Sequence, residues 1–193
     1  MHRYSIDNDN YIKVFVGLTV VSAVINAILN IVIIPTIVKS NVLIQLVSLG
    51  LSFFISFELI FLIFDKWLWK LSFFNKLIKC PDISGKWEGT IKNPKFPEIN
   101  AKVEILQTWT KIIINLKTDT AKSKTTALTF FVEDSNNPEL CYIYFNKSTT
   151  KKLVSHGGTG VLTYVKDEDK LTGYYYTDKH RENHGDINLK RIH

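Results

Sequence analysis

The sequence of 193 residues predicts two transmembrane helices followed by an all-β domain that closes as an antiparallel eight-stranded up-and-down β-barrel. Three observations predict this fold class. Two long uncharged runs fill most of the first third of the chain, and apolar and polar residues begin to alternate after Cys80. No amphipathic helical segment of about ten residues lies between the predicted strands, which excludes parallel βαβ units.

Each of the two apolar runs is long enough to cross a bilayer. Val14–Val38 holds 25 residues without a charge, and Val42–Phe64 holds 23 residues of which only Glu58 is charged. About 20 apolar residues span the hydrocarbon core. A cleavable signal peptide is the alternative for the first run, but such a peptide has a shorter apolar region. Because only Lys39–Asn41 separate the runs, we predict a tight turn between antiparallel helices.

Flanking charges predict the orientation of this hairpin. Residues 1–13 form a short N-terminus, and residues 65–80 form a basic linker in which aromatic rings alternate with lysines, as is typical of a membrane interface. Since Lys39 is the only charge in the turn, the positive-inside rule predicts a multi-pass protein of the bacterial inner membrane with both termini cytoplasmic. The alternating residues are Lys66, Trp67, Trp69, Lys70, Phe73, Phe74, Lys76 and Lys79.

Small polar residues form one stripe on each helix, because they recur at spacings of three or four. Facing stripes allow close approach and hydrogen bonds, either within one molecule or between molecules, and both alternatives stay open. We take Asn26, Asn30 and Ser52 as candidate oligomerisation residues. The stripes are Ser22, Asn26 and Asn30, and Gln45, Ser48, Ser52 and Ser56.

Glu58 lies about 220° around the second helix from Gln45, away from the serine stripe. An ionisable group inside a membrane costs several kcal/mol unless it is protonated, paired or hydrated. We therefore predict that Glu58 acts in an oligomer contact or lines a pore. Snorkelling of its carboxylate to the nearby interface is the alternative.

Alternation and turn residues predict eight strands in residues 81–193, which we take as one cytoplasmic ligand-sensing domain. An up-and-down barrel removes exposed edges, and a lipocalin-like barrel of eight strands has room for packed side chains or one small ligand. In the fourth strand neither face is purely apolar, so the inward face stays open. The strands are Gly85–Lys92, Ile99–Gln107, Lys111–Thr118, Lys124–Glu133, Glu139–Asn146, Gly158–Val165, Lys170–Thr177 and Gly185–Arg191.

Known catalytic motifs are absent from the sequence, so we expect no enzyme, no metal site and no cofactor. Cys80 and Cys141 are not spaced as a C-x-x-C pair, and a cytoplasmic location disfavours a disulfide between them. His180 and His184 are four residues apart, but they fall in a predicted turn, where helical zinc spacing does not apply.

A candidate binding site lies near the C-terminus, at Gly173–Thr177, Arg181 and His184. Tyrosine rings stack on bases, and the arginine fork matches phosphate oxygens. Alternation sends Tyr174 and Tyr176 to one face of their strand and Tyr175 to the other.

The order of these parts resembles one effector family. Two N-terminal membrane helices and a basic aromatic linker precede the motif Asp82-Ile83-Ser84-Gly85-Lys86-Trp87-Glu88-Gly89, and Leu171–Thr177 follows near the end. This arrangement is similar to the two-transmembrane, β-strand-rich effectors of cyclic-oligonucleotide-based antiphage signalling, CBASS. The resemblance covers essentially the whole chain.

The resemblance implies that the barrel binds a cyclic dinucleotide made by a cognate nucleotidyltransferase. It also implies that binding drives self-association of the helices in the lipid bilayer, inner-membrane disruption and abortive infection, with no DNA or RNA polymer involved. The candidate ligand-binding residues are Tyr175, Thr177 and Arg181, with Trp87 and Tyr176 as further aromatic candidates. A membrane-anchored, lipocalin-like binding or scaffold protein for a lipid or protein partner is the alternative.

Overall fold

The computed structural model describes residues 1–32, 42–94, 96–132, 137–148, 155–179 and 183–192. The chain divides into two compact units, a helical unit of Asp9–Lys79 and a barrel unit of Met1–Asn8 with Cys80–His193. Several features of the sequence analysis lie outside the described residues: the end of the first apolar run at 33–38, the turn at Lys39–Asn41, His180 and Arg181.

The helical unit begins with α1 (Asn10–Val32) and α2 (Val42–Lys66). The two helices are antiparallel, because Phe15 packs edge-on against Phe57 at 5.4 Å between ring centroids while Asn26 bonds Ser52. Within the described residues, one helix is long and apolar enough to cross a membrane, at Asn10–Ile31. A 3₁₀ turn (Leu68–Lys70) and α3 (Ser72–Ile78) follow.

The barrel unit contains the eight predicted strands, together with two very short strands at the N-terminus. Most boundaries lie within two or three residues of the expected ones. The strands are β1 (His2–Arg3), β2 (Ser5–Ile6), β3 (Gly85–Asn93), β4 (Phe96–Gln107), β5 (Lys111–Lys117), β6 (Ala121–Phe131), β7 (Glu139–Ser148), β8 (His156–Val165), β9 (Lys170–Thr177) and β10 (His184–Ile192).

Strands β3 to β10 pair in chain order, each antiparallel to the next, and β10 pairs with β3. The contact between β5 and β6 closes the ring, which confirms the predicted eight-stranded up-and-down barrel. Four connections, after β3, β5, β7 and β9, lie at one end of the barrel. The chain enters at Cys80 and leaves β10 at the other end.

The first residues of the chain belong to the barrel wall. Strand β1 pairs antiparallel with β5, and β2 pairs parallel with β6. From the sequence, residues 1–13 are expected to form only a short cytoplasmic N-terminus. Strands of two residues are too short to show an alternation of apolar and polar residues, so the sequence pattern does not predict them.

The open question about the fourth predicted strand is answered by β6. Leu128, Phe130 and Val132 are buried in the core. A register shift between Thr125 and Ala127 interrupts the alternation, so that Thr125 is also buried. Such a bulge adds one residue to one strand and reverses the faces on either side of it, which explains why neither face of the sequence is purely apolar.

Candidate functional site

A cavity of about 140 Å³ opens at the barrel end formed by the connections after β3, β5, β7 and β9. Its deep part is apolar, with Ile91, Leu116 and Ile187 in the wall. Its rim is polar. The rim residues are Asn93, Thr118, Thr120, Asn146, Ser148, His156, Thr177 and Asn183.

Tyr175 faces the cavity and is held by Asn93, the last residue of β3. The Asn93 amide Nδ2 donates to Tyr175 Oη at 3.1 Å and to Asn183 Oδ1 at 2.6 Å. It also reaches the His184 carbonyl at 2.9 Å. This cluster joins the ends of three strands, so it fixes the tyrosine ring in the cavity wall.

Thr177 lies at the end of β9 and lines the same cavity. Its Oγ1 donates to the Asn183 carbonyl at 3.0 Å and accepts from the Asn183 amide at 2.8 Å. A threonine hydroxyl has one donor and two acceptor sites. One acceptor site of Thr177 therefore stays available to a ligand.

Two further tyrosines, Tyr142 and Tyr144, fill the barrel below the rim. Their rings lie 6.0 Å apart and cover Gly160 and Gly158, their partners on β8. Burial raises the pKa of Tyr142, so its hydroxyl stays protonated and can donate. Sequence reasoning missed these residues. The signal that could have found them is a Tyr-x-Tyr pattern on β7 and a Gly-x-Gly pattern on β8. It points to a cavity wall only once the pairing of β7 with β8 is known.

Among the described residues that line the cavity, none is a lysine or arginine. Exposed lysines instead form a row on the outer surface near this end of the barrel. Lys102, Lys117, Lys122 and Lys147 are direct neighbours across β4, β5, β6 and β7. Lys102 pairs with Glu88 at 3.4 Å, but Lys117, Lys122 and Lys147 lie opposite one another, and like charges directly opposite each other destabilise a sheet, so an anion would relieve their repulsion.

The structure brings two of the predicted ligand residues, Tyr175 and Thr177, together at the cavity. Trp87 instead lies fully buried near the start of β3, where its Nε1 donates to the Ile83 carbonyl at 3.0 Å. Tyr176 points outward and is 54% exposed, beside Tyr174. Arg181 lies outside the described residues.

The predicted hairpin residues meet within one chain. Ser52 Oγ donates to Asn26 Oδ1 at 2.5 Å, and Asn30 Nδ2 donates to the same oxygen at 3.0 Å. Asn26, Asn30 and Ser52 therefore face each other inside the hairpin, and an action between molecules stays a prediction. Glu58 is exposed on the outer surface of α2.

Metal ligation has no candidate among the residues that the structure describes, because no group of three His, Cys, Asp or Glu residues lies close enough together. The cavity can offer hydroxyl, amide and aromatic groups. These groups suit flat, polar, uncharged rings such as nucleobases.

Comparison with known proteins agrees with this chemistry. A family model described as "Cap15, cyclic dinucleotide receptor domain" matches residues 78–191. CD-NTase-associated protein 15 of Yersinia aleksiciae is 28% identical over 133 residues, which is 67% of this chain and 64% of that protein. The protein of the same name from Staphylococcus schleiferi is 29% identical over 136 residues, 67% of this chain and 71% of that one.

The match to the Yersinia protein thus spans slightly less than two thirds of that relative's length. The family match covers more than half of this chain and nearly all of strands β3 to β10. The chain therefore belongs to the Cap15 cyclic dinucleotide receptor family of CBASS effectors.

Proposed function

We propose that this chain is an antiphage effector whose barrel binds a cyclic dinucleotide made by a cognate nucleotidyltransferase, and whose helices then associate and disrupt the inner membrane. The observation that carries the proposal is the cavity at one end of the barrel, with Tyr175 fixed in its wall by Asn93. The receptor family supports the ligand class, and the apolar helix at Asn10–Ile31 supports a membrane location.

The chemistry of the cavity favours one orientation of the ligand. A phosphate buried without a cation is very costly, whereas a base needs only flat walls and hydrogen-bond partners. The described cavity wall contains tyrosine rings and amides but no lysine or arginine. We therefore place the bases inside and the phosphates at the rim, on the side of Lys117, Lys122 and Lys147.

Binding is tested by titrating the full chain in lipid nanodiscs with a panel of cyclic di- and trinucleotides. We expect nanomolar to micromolar affinity for at least one cyclic dinucleotide. Tyr175→Ala should weaken it about 10-fold or more, since stacking contributes roughly 1–3 kcal/mol per base. Tyr175→Phe keeps the ring and should lose less.

Tyr174→Ala is the matched control, because this neighbouring tyrosine lies on the outer face of the same strand. The Tyr174→Ala chain should bind the cyclic dinucleotide with unchanged affinity. If Tyr176→Ala weakens binding as much as Tyr175→Ala, the ligand stacks outside the barrel and the cavity is not the site. Uniform absence of binding, with retention of a lipid or a protein, would favour a scaffold function instead.

The membrane step is tested with the full chain in dye-loaded liposomes of anionic lipid. We expect dye release when the cyclic dinucleotide identified by titration is added. Release should be much slower for the Glu58→Gln chain. An exposed carboxylate on an apolar helix is costly in lipid, so contact with another copy would stabilise it. If Glu58→Gln and Asn26→Leu both leave release intact, the hairpin is only an anchor and the association account fails.

A further inference from the structure

The seam between β5 and β6 is the weakest boundary of the barrel. These strands pair through only three residue pairs, Asn115–Lys117 with Lys122–Lys124, whereas the other neighbours among β3 to β10 pair through six or more. Below this point the strands diverge. Thr125 marks the fork, because its Oγ1 accepts from the Ile114 amide at 3.0 Å.

Residues 2–7 fill the gap that the diverging strands leave. His2 pairs with Ile112 on β5, and Ile6 pairs with Phe130 on β6. The Asp7 amide donates to the Phe130 carbonyl at 3.1 Å, and Asp7 Oδ1 accepts from the Val132 amide at 2.7 Å. The segment thus adds hydrogen bonds to both strand edges, as an added strand does in β-augmentation.

Side chains fasten this segment at both ends. His2 Nε2 lies 3.0 Å from Thr125 Oγ1, so the segment reaches the fork itself. Tyr4 packs on Phe130 with 5.5 Å between ring centroids, and its hydroxyl lies 3.2 Å from Cys80 Sγ. Cys80 is the residue at which the chain re-enters the barrel unit.

We propose that the seam between β5 and β6 is a strand-binding site whose occupant is the chain's own segment of residues 2–7, and that a cyclic dinucleotide in the cavity weakens this occupancy. The second half rests on the proposed function. The cavity of about 140 Å³ is smaller than the roughly 300–1,000 Å³ of small-molecule sites, so we expect its wall to widen when bases enter it, even with the phosphates outside at the rim. Leu116 and Ser123 line the cavity and pair with each other beside the fork.

Thermodynamic linkage gives the direction of the coupling between ligand binding and occupancy of the seam by residues 2–7. A ligand that binds the widened barrel more tightly shifts the population toward a loosened segment by its differential affinity. Asp7 precedes the first residue of α1, Asn10, by three positions. Release of the segment would therefore free the chain that precedes α1 from the barrel. A contact inside the cavity would not do this by itself.

The test locks the segment with a disulfide in the full chain. Ser5 Oγ and Thr129 Oγ1 are 2.8 Å apart, so the Ser5→Cys/Thr129→Cys pair meets the short separation that a disulfide requires. Cys141 is replaced by serine because it faces Thr129 on β7. The control is Ser5→Cys with Cys141→Ser, which has no partner thiol at position 129.

In nanodiscs, we expect the oxidised pair to form within one chain and to bind the cyclic dinucleotide at least 10-fold more weakly than the same chain after reduction. The control should bind equally under both conditions. Equal affinity of the oxidised and reduced pair would overturn the coupling. Disulfides formed between chains, or none at all, would overturn the assignment of the segment to its own seam.

Cys80 gives a second readout in the Cys141→Ser chain. Its thiol is buried beside Tyr4, so maleimide labelling should be slow without ligand and at least fivefold faster with saturating ligand. Tyr4→Ala should label quickly in both states. If saturating ligand leaves the rate of Cys80 labelling unchanged, the segment of residues 2–7 is not released on binding. If the reduced chain binds no cyclic dinucleotide, the proposed function and the coupling both fail, while a disulfide within one chain still supports the strand site.

Discussion

At the scale of residues, the size of the cavity depends on two aromatic rings lying over two glycines. A Cβ added at Gly160 would lie 2.4 Å from Tyr142 Cζ, and its three nearest atoms all belong to that ring. At Gly158 the Tyr144 hydroxyl and the Tyr176 carbonyl are both 2.4 Å away. Gly160 is therefore the position at which a small change moves one ring and spares the backbone.

We predict that Gly160→Ala pushes the Tyr142 ring into the cavity. Ligand affinity should fall about 10-fold and the free energy of unfolding by about 1–3 kcal/mol, as for other overpacked cores. Titration and thermal denaturation measure the two effects. Gly157→Ala is the control, because the nearest atom there is at 3.7 Å, an ordinary contact. If Gly160→Ala with Tyr142→Leu recovers no stability, the ring is not the cause.

Alternation was sufficient to place Tyr175 and Tyr176 on opposite faces of their strand, because the strand has no bulge there, but only the structure shows that Tyr175 is the one that faces the cavity. Alternation was not sufficient to separate a cavity residue from a core residue. Trp87 and Tyr175 both face inward, but they lie toward opposite ends of the barrel. That distinction depends on which strand ends meet, and register and closure decide this rather than local sequence.

At the scale of elements, the helical pair is held by a polar contact near the middle of its packed face. Asn26 Oδ1 receives hydrogen bonds from both Ser52 and Asn30, and Ser22 is fully buried. The spacing of these residues predicted the stripe. It did not decide between contact within one chain and contact between chains, because both use the same side chains.

We predict that Asn26→Leu destabilises the helix pair by roughly 0.6–2 kcal/mol, the range for one interhelical hydrogen bond in lipid. Unfolding of the full chain in mixed micelles, followed by helical circular dichroism, measures the shift. Thr19→Val serves as the comparison, since Thr19 Oγ1 bonds only the Phe15 carbonyl of its own helix. Equal midpoints for both variants would show that the Asn26 contact contributes nothing.

At the scale of the whole molecule, side chains with raised pKa values link folding to alkaline pH, and Cys80 and Tyr164 are two of them beside Tyr142. Burial raises the pKa of Cys80 from 9 to about 12. Burial and a hydrogen bond to Asp169 raise the pKa of Tyr164 from 10 to about 12. A raised pKa means that the protonated form stabilises the fold. Both contributions are complete below about pH 9 and are lost as the pH rises toward 12.

We therefore predict that the free energy of unfolding is flat from pH 7 to 8.5 and falls between pH 9 and 12. Denaturant unfolding followed by tryptophan fluorescence checks this. Tyr164→Phe should flatten the fall above pH 10, whereas Tyr174→Phe, on the outer surface, should not. A Tyr164→Phe profile parallel to the parent above pH 10 would contradict the assignment.

Most of the barrel was predictable, because its strands combine alternation with turn residues at regular spacing. The start of β6 at Ala121, before the expected Lys124, shows the limit of the method. Residues 121–123 are mostly polar, and pairing with β5 and β7 makes them a strand. The strands at His2–Arg3 and Ser5–Ile6 could not be predicted for the same reason, because their extended conformation depends on pairing with β5 and β6.

An even number of up-and-down strands has a consequence for how this receptor diversifies. The chain enters the barrel at Cys80 and leaves β10 at the same end, so β3, β5, β7 and β9 all end at the opposite end, where the hairpins to the next strands begin. Insertions and substitutions in those hairpins leave the anchored end untouched. One scaffold is thus free to vary the residues around the cavity without rebuilding the end at which the chain enters from Cys80.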